Sequence, residues 1–180
     1  MPRRHAPSKD ESRLLPPFPT LEDARIHTPA TPEAFAAARA ALLAAPVLGF
    51  DTESKPLFRV DQEDTGPHVV QLATPHDAWV LQLHHPEALE LAREVLSAAQ
   101  IAKVGFGLDN DASSLRRRLG CTLAHIVDLD KVFSRHGFGH NVGVRAAVAL
   151  VLGQSFSKSK KTSTSNWAQR TLTPAQIRYA

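Results

Sequence analysis

The sequence predicts a mixed α/β fold, with a five-stranded sheet flanked by helices on both sides. The first three apolar segments follow one another through short connections, which predicts an antiparallel meander. Two later apolar segments alternate with amphipathic helical patterns, which predicts crossovers to parallel strands. The chain has 180 residues and 43% hydrophobic composition, enough for one domain with a substantial core.

The first quarter of the chain divides into an irregular segment and a helical one. Residues 1–24 are rich in proline, serine and charge and lack periodicity, so we expect a mobile tail or linker there and the folded domain over residues 25–180. Residues 25–27 could form a short edge strand. Thr31 can cap a helix that starts with Pro32 and runs to about residue 44.

Residues 47–53 carry the first functional hypothesis. A mostly apolar run leads into Asp51 and Glu53, which predicts a short buried strand that ends in two acids. Because side chains alternate along a strand, these carboxylates face the same way and need a cation, a shared proton or hydrogen-bond donors. A hard divalent ion such as Mg²⁺ or Mn²⁺ is the predicted answer. The alternative is that both acids are solvated in the following loop.

The remaining elements are predicted from the alternation of apolar residues in strands, from their spacing of three or four residues in helices, and from turn residues. After a polar loop, strands are predicted at residues 69–73, 78–83, 101–107 and 125–128, the last followed by a turn. Helices are predicted at residues 86–99, 109–119 and 142–152, the last closed by Gly153. A polar segment at residues 154–170 precedes a capping box at Thr173, which begins a last helix.

A further acid follows the fourth predicted strand. Gly105 and Gly107 would let another backbone or a ligand approach closely. If this strand neighbours the first one, Asp109 or Asp111 would lie beside the first pair of acids. Asp109 suits the helix cap, and Asp111 could project from the first turn. Two capping acids without a ligand role are the alternative.

Three motifs occur in order along the chain: the stretch around Asp51 and Glu53, the stretch from Lys103 to Asp111, and Ser165-Asn166-Trp167 followed by residues 172–180. Together they resemble the motifs of the DEDD 3′–5′ exonucleases, in the branch of ribonuclease D and the Werner exonuclease. The resemblance covers about residues 25–180 and implies a ribonuclease H-like fold.

The resemblance also implies roles for individual residues. Asp51, Glu53 and Asp111 would be metal ligands for two divalent cations, Mg²⁺ or Mn²⁺, and Asp109 only a neighbour or cap. Tyr179 would mark the tyrosine subgroup and guide the attacking water. The family's fourth acid lies four residues after this tyrosine, whereas the sequence stops at Ala180. We therefore expect the chain to be a fragment cut within its C-terminal helix.

The implied activity is hydrolysis of DNA or RNA from a single-stranded or free 3′ end, releasing nucleoside 5′-monophosphates. A nucleic-acid backbone could run past Lys158, Lys160 and Lys161. The alternative is that these lysines belong to an ordinary solvated loop. Trp167 is interpreted as a core anchor. The predicted substrate contacts are Thr52, Lys55, Lys160, Lys161 and Asn166.

Composition narrows the remaining possibilities. The net charge of +3 does not by itself indicate a nucleic-acid binder. The single Cys121 excludes an internal disulfide and suits a reducing cytoplasm. No signal peptide or membrane span is predicted. The alternative function is a binding module of the same fold that lacks catalysis.

Overall fold

The computed structural model describes residues 4–59, 61–139 and 142–180, with the side chains of residues 110 and 111 excluded. Within this part of the chain, one sheet has six strands in the order β1-β4-β3-β2-β5-β6. The strands are β1 (Ile26–His27), β2 (Val47–Glu53), β3 (Val69–Ala73), β4 (Ala78–Gln82), β5 (Ala102–Gly105) and β6 (Ile126–Asp128).

Eight α-helices accompany these strands in the described residues. They are α1 (Lys9–Arg13), α2 (Pro32–Ala44), α3 (Pro86–Ser97), α4 (Asp109–Leu119), α5 (Leu129–Arg135), α6 (Val144–Leu152), α7 (Lys160–Ser163) and α8 (Pro174–Tyr179). The predicted helix starting at Thr31 is confirmed, since the Thr31 hydroxyl accepts a hydrogen bond from the Ala34 amide. The predicted turn after β6 is wrong, because α5 begins there with the Asp128 side chain as its cap.

The predicted strand pairing is confirmed. Strands β2, β3 and β4 form an antiparallel meander, and β5 and β6 continue the sheet in parallel with β2. The predicted count of five strands is wrong by one. The segment Ile26–His27, noted as a possible edge strand, pairs in parallel with β4 and adds the sixth.

Apolar side chains cover both faces of the sheet. On one face Leu48 and Phe50 pack with residues of α2, α3 and α4 in the largest core cluster. On the other face Val69 and Val80 pack against Trp167 and Leu172. Trp167 is 1% exposed, which agrees with its prediction as a core anchor. Residues 167–180 are thereby held against the face that carries Asp51 and Glu53.

Part of the predicted mobile tail makes defined contacts. Ser12 is 1% exposed, and its hydroxyl accepts a hydrogen bond of 2.9 Å from the Arg145 guanidinium of α6. Backbone hydrogen bonds also join Phe18 and Pro16 to Ser155. Residues 4–18 therefore have fixed contacts with the rest of the domain, through hydrogen bonds to α6 and to Ser155. The domain boundary at residue 25 stays a prediction.

Among the described residues, no helix is long and apolar enough to cross a membrane.

Candidate active site

The alternation of β2 places its two acids on one face of the sheet. Leu48 and Phe50 are 0% and 5% exposed on the core face, so Asp51 and Glu53 point to the opposite face. Both acids are half-buried. The sequence-based expectation that these carboxylates share a face is therefore confirmed.

A buried amide from the neighbouring strand lies beside these acids. Gln71 is opposite Asp51 in the register of β2 and β3 and is 7% exposed. Its Nε2 donates a hydrogen bond of 3.4 Å to Oε1 of Glu53. The prediction from sequence missed this residue, although a glutamine in the middle of an otherwise apolar strand was a signal for it. Gln71 helps to fix the orientation of the Glu53 carboxylate.

Lys158 places a positive charge beside Asp51. Its Nζ lies 3.3 Å from Oδ2 of Asp51, and the two side chains are 30% and 43% exposed. The other carboxylate oxygen, Oδ1, accepts a hydrogen bond of 2.9 Å from the Thr52 amide. Asp51 is thus held by a local backbone donor and by a lysine 107 positions later in the chain.

Tyr179 reaches the same place from the end of α8. Its ring centroid is 4.8 Å from Nζ of Lys158 and 5.8 Å from the Trp167 ring. Burial raises the pKa of the Tyr179 phenol, and the nearby Lys158 ammonium partly offsets this effect by lowering it. The charges of Glu53 and Asp51 raise the pKa further. Lys158 thus links Tyr179 to Asp51 across the face of the sheet that carries both acids, and the role of Tyr179 in guiding water stays a prediction.

The position of α8 depends on a buried glutamine. Gln176 is 3% exposed and completes the predicted capping box with Thr173. Its Nε2 also donates hydrogen bonds of 3.0 Å to the Ser165 hydroxyl and 3.2 Å to the Asn166 carbonyl. The Gln176 side chain joins the turn before Trp167 to the helix that carries Tyr179. This contact explains why Ser165 and Asn166 occur together with Gln176 in the sequence.

A glycine sets the approach of β5 to β2. A Cβ atom at Gly105 would lie 2.2 Å from the carbonyl oxygen of Phe50 and 2.9 Å from the Leu108 side chain. No side chain fits there, so the close approach predicted for Gly105 is confirmed. Gly107 has space around it but a φ of +66°, which favours glycine for a different reason.

The start of α4 differs in detail from the prediction. Asp109 is not its cap: Leu108 holds that position, and the Asp128 carboxylate accepts hydrogen bonds of 3.0 Å from both the Gly107 and Leu108 amides. Asp109 is exposed and pairs with Lys131 at 2.5 Å. The backbone of Asp111 lies in the first turn of α4, and its side chain lies outside the described residues.

The predicted substrate contacts have different surroundings. The Thr52 side chain faces away from Asp51 because it is the next residue along β2. Lys55 is half-buried in the loop after Glu53, where its amide donates a hydrogen bond of 3.3 Å to His68. Lys160 and Lys161 are exposed in α7. The Asn166 side chain accepts a hydrogen bond of 3.1 Å from the Ala168 amide, which gives it a role in the turn.

A cavity of about 260 Å³ opens beside these groups. Its polar rim includes Asp51, Gln71 and Lys158. Its walls are mainly apolar and come from both the sheet and the helices, among them Gly49, Ala73, Val80, Val104, Phe106, Leu129 and Val144. A hollow with an apolar wall and a charged rim can accept a group that is flat or aliphatic on one side and ionic on the other.

The side chains present fit a hard cation. Asp51 and Glu53 supply carboxylate oxygens on one face, and the ammonium group on Asp51 indicates that a positive charge is stabilised there. In the part of the chain that the structure describes, no third histidine, cysteine, aspartate or glutamate joins them. The third ligand implied by the resemblance is Asp111, whose side chain is not among the described ones.

Comparison with known proteins identifies relatives of this chain. Residues 26–180 match the family described as 3′–5′ exonuclease. An exonuclease mut-7 homologue of Aedes aegypti is 27% identical over 97% of the chain, which covers 26% of that protein. The homologue of Drosophila melanogaster is 32% identical over 62% of the chain and 21% of that protein. The chain thus spans about a quarter of the length of these relatives.

Solved structures share the fold. The Aedes aegypti Nibbler EXO domain superposes with a TM-score of 0.70 at 23% identity, covering 88% of this chain and 82% of the other. Escherichia coli RNase D, an exoribonuclease, gives 0.69 at 20% identity over 85% and 40%. Trypanosoma brucei RNase D in complex with RNA U12 gives 0.71 at 18% identity over 85% and 56%. With residues 26–180 matching throughout, the chain belongs to the 3′–5′ exonuclease family and has its ribonuclease H-like fold.

Proposed function

We propose that this chain hydrolyses the phosphodiester bonds of single-stranded DNA or RNA from the 3′ end and releases nucleoside 5′-monophosphates. The observation that carries the proposal is that Tyr179 of α8 lies on the face of the sheet that carries Asp51 and Glu53, because Nζ of Lys158 is 3.3 Å from Asp51 and 4.8 Å from the centre of the Tyr179 ring. Membership of the exonuclease family and the likeness to an RNase D bound to RNA agree with a nucleic-acid substrate.

Exonucleases of this fold typically use divalent metal ions, and the proposal includes two of them, Mg²⁺ or Mn²⁺. Asp51, Glu53 and Asp111 would hold these ions. When bound, such ions make water a better nucleophile and stabilise charge on the leaving 3′ oxygen. The protein contributes the position of the carboxylates, with Glu53 oriented by Gln71 and Asp51 by the Thr52 amide.

Tyr179 has a distinct role in the proposal. Its phenol keeps its proton at neutral pH because burial raises its pKa, and the carboxylates beside it act in the same direction. A neutral phenol can both donate and accept a hydrogen bond, which suits a group that orients the attacking water. The phenol itself need not exchange a proton in the reaction.

The cavity beside Asp51 would receive the terminal nucleotide. Its apolar wall suits the face of a base or sugar, and the Lys158 ammonium among its lining residues suits the phosphate. Lys55, Lys160 and Lys161 would contact the backbone further along the strand without reading its sequence. A cytoplasmic location also stays a proposal, since it depends on a single cysteine.

The test is the product pattern from oligonucleotides labelled at the 5′ end, with Mg²⁺ or Mn²⁺ present and with a chelator. The proposal predicts a ladder that shortens one nucleotide at a time from the 3′ end, only with metal. Asp51→Asn and Glu53→Gln would lower the rate at least 100-fold, whereas Asp10→Asn, in α1, would not. Internal cuts, or binding without cleavage, would refute it.

A further inference from the structure

Lys158 has an unusual position in the site. Its Nζ is 3.3 Å from Oδ2 of Asp51 and 4.8 Å from the centre of the Tyr179 ring. The ammonium therefore lies between a carboxylate and an aromatic face, both of which favour a positive charge. It also forms part of the rim of the cavity beside Asp51.

The need for this charge follows from the strand that carries the acids. Asp51 and Glu53 face the same way from β2, two residues apart, and Gln71 lies opposite Asp51 and contacts Glu53, so the two negative charges are close together. Gln71 donates to Glu53 but brings no charge. Among the contacts at Asp51 in the described part of the chain, Lys158 supplies a positive charge and the Thr52 amide a neutral donor.

The geometry also limits how tightly the lysine is held. Lys158 lies outside the regular elements, in the stretch just before α7, and its side chain is 30% exposed. A lysine side chain has four rotatable bonds and a compact charge, so its ammonium can leave a carboxylate without backbone movement. An ion pair of this exposure is worth little once a stronger cation competes for the same oxygen.

We propose that Lys158 is a resident cation of the metal-free site, which neutralises Asp51 and competes with a divalent ion for its carboxylate. When the ion binds, the ammonium leaves Oδ2 and stays beside the Tyr179 ring, where it can contact a substrate phosphate. The inference rests on the proposed function for the identity of the competing ion. It assigns Lys158 as a positioning residue that keeps the acids ordered and tunes metal affinity.

The experiment titrates Mn²⁺ into the protein without nucleic acid and measures its dissociation constant by calorimetry. Lys158→Met would bind Mn²⁺ about two- to fivefold more tightly than the wild type, because no ammonium must be displaced. Lys158→Arg would keep the wild-type constant. Lys160→Met is the matched control, since it removes the same charge two positions away, and it would also keep the wild-type constant.

A second measurement separates competition from a structural role. In chelator, Lys158→Met would melt at a lower temperature than Lys160→Met, because Asp51 loses the ammonium that contacts it, and saturating Mn²⁺ would remove the difference. Should Lys158→Met not fold, Lys158→Gln keeps a polar group and serves in its place. A structural defect would lower the melting temperature with and without the metal, and would overturn the proposal.

The remaining outcomes are equally decisive. Equal or weaker Mn²⁺ binding by Lys158→Met, or the same gain in Lys160→Met, would overturn the inference. So would the absence of Mn²⁺ binding in all variants. If the wild type does not shorten oligonucleotides but Lys158→Met still binds Mn²⁺ more tightly, the proposed function fails and the competition stands.

Discussion

Gly105 offers a direct test of how the fold positions the site. In Gly105→Ala the new methyl group would lie 2.2 Å from the Phe50 carbonyl oxygen and 2.9 Å from the Leu108 side chain. The oxygen belongs to the backbone and cannot rotate away. Because Cβ contacts under 3.0 Å essentially do not occur, β2 and β5 must part by about 0.8 Å or more at this point.

The expected losses follow from this displacement. Overpacking of this kind costs about 1–3 kcal/mol of unfolding free energy, which lowers the melting temperature of a chain of this length by about 2–12 °C. Phe50 precedes Asp51, and Leu108 begins the turn into α4, so both acidic segments would shift. A displacement near 1 Å costs up to about 100-fold in rate, and we expect a loss of about 10- to 100-fold.

Urea denaturation and the rate of mononucleotide release measure the two losses. Gly143→Ala is the control, since Gly143 has a φ of −69° and no atom within 4 Å of a Cβ, so only small changes are expected. A Gly105→Ala protein with wild-type stability and rate would refute the close approach of β2 and β5 as the feature that positions the site.

Four further substitutions test other contacts. Tyr179 is the single tyrosine, so tyrosinate absorbance follows its pKa alone; Lys158→Met should raise that pKa by removing a nearby positive charge, and Glu53→Gln should lower it by removing a negative one. An unchanged titration in both would contradict the proposed cluster. Gln176→Ala should cost about 1–3 kcal/mol, measured by urea denaturation, because a buried side chain is removed and the Ser165 hydroxyl and the Asn166 carbonyl lose a donor. Ser12→Ala should cost about 1 kcal/mol by the same measurement, whereas no loss would indicate that residues 4–18 are mobile.

Local periodicity was enough to predict much of the sheet. The alternation through Asp51 and Glu53, the short turn before β4 and the helix between β4 and β5 each depend on neighbouring residues, and the structure has them as predicted. The two-residue strand β1 is too short to give a periodic signal in the sequence. Only its pairing with β4 in the structure identifies it as the sixth strand.

The misses have a common physical origin in contacts between distant residues. Asp109 looked like a cap from its local sequence, but Asp128 supplies the hydrogen bonds from 20 positions away. Ser12 is buried by a partner 133 positions later in the chain. Gln71 and Lys158 were not identified at the acids for the same reason, since only the assembled sheet brings them there.

The central claim is that Asp51 and Glu53 form one divalent-cation site facing Tyr179. Anomalous diffraction from crystals grown with Mn²⁺ tests it most directly. We expect at least one peak within about 2.1 Å of carboxylate oxygens from both acids, with the Tyr179 phenol turned toward it and Nζ of Lys158 no longer on Asp51. The absence of any peak at these two acids at saturating Mn²⁺ would contradict the claim.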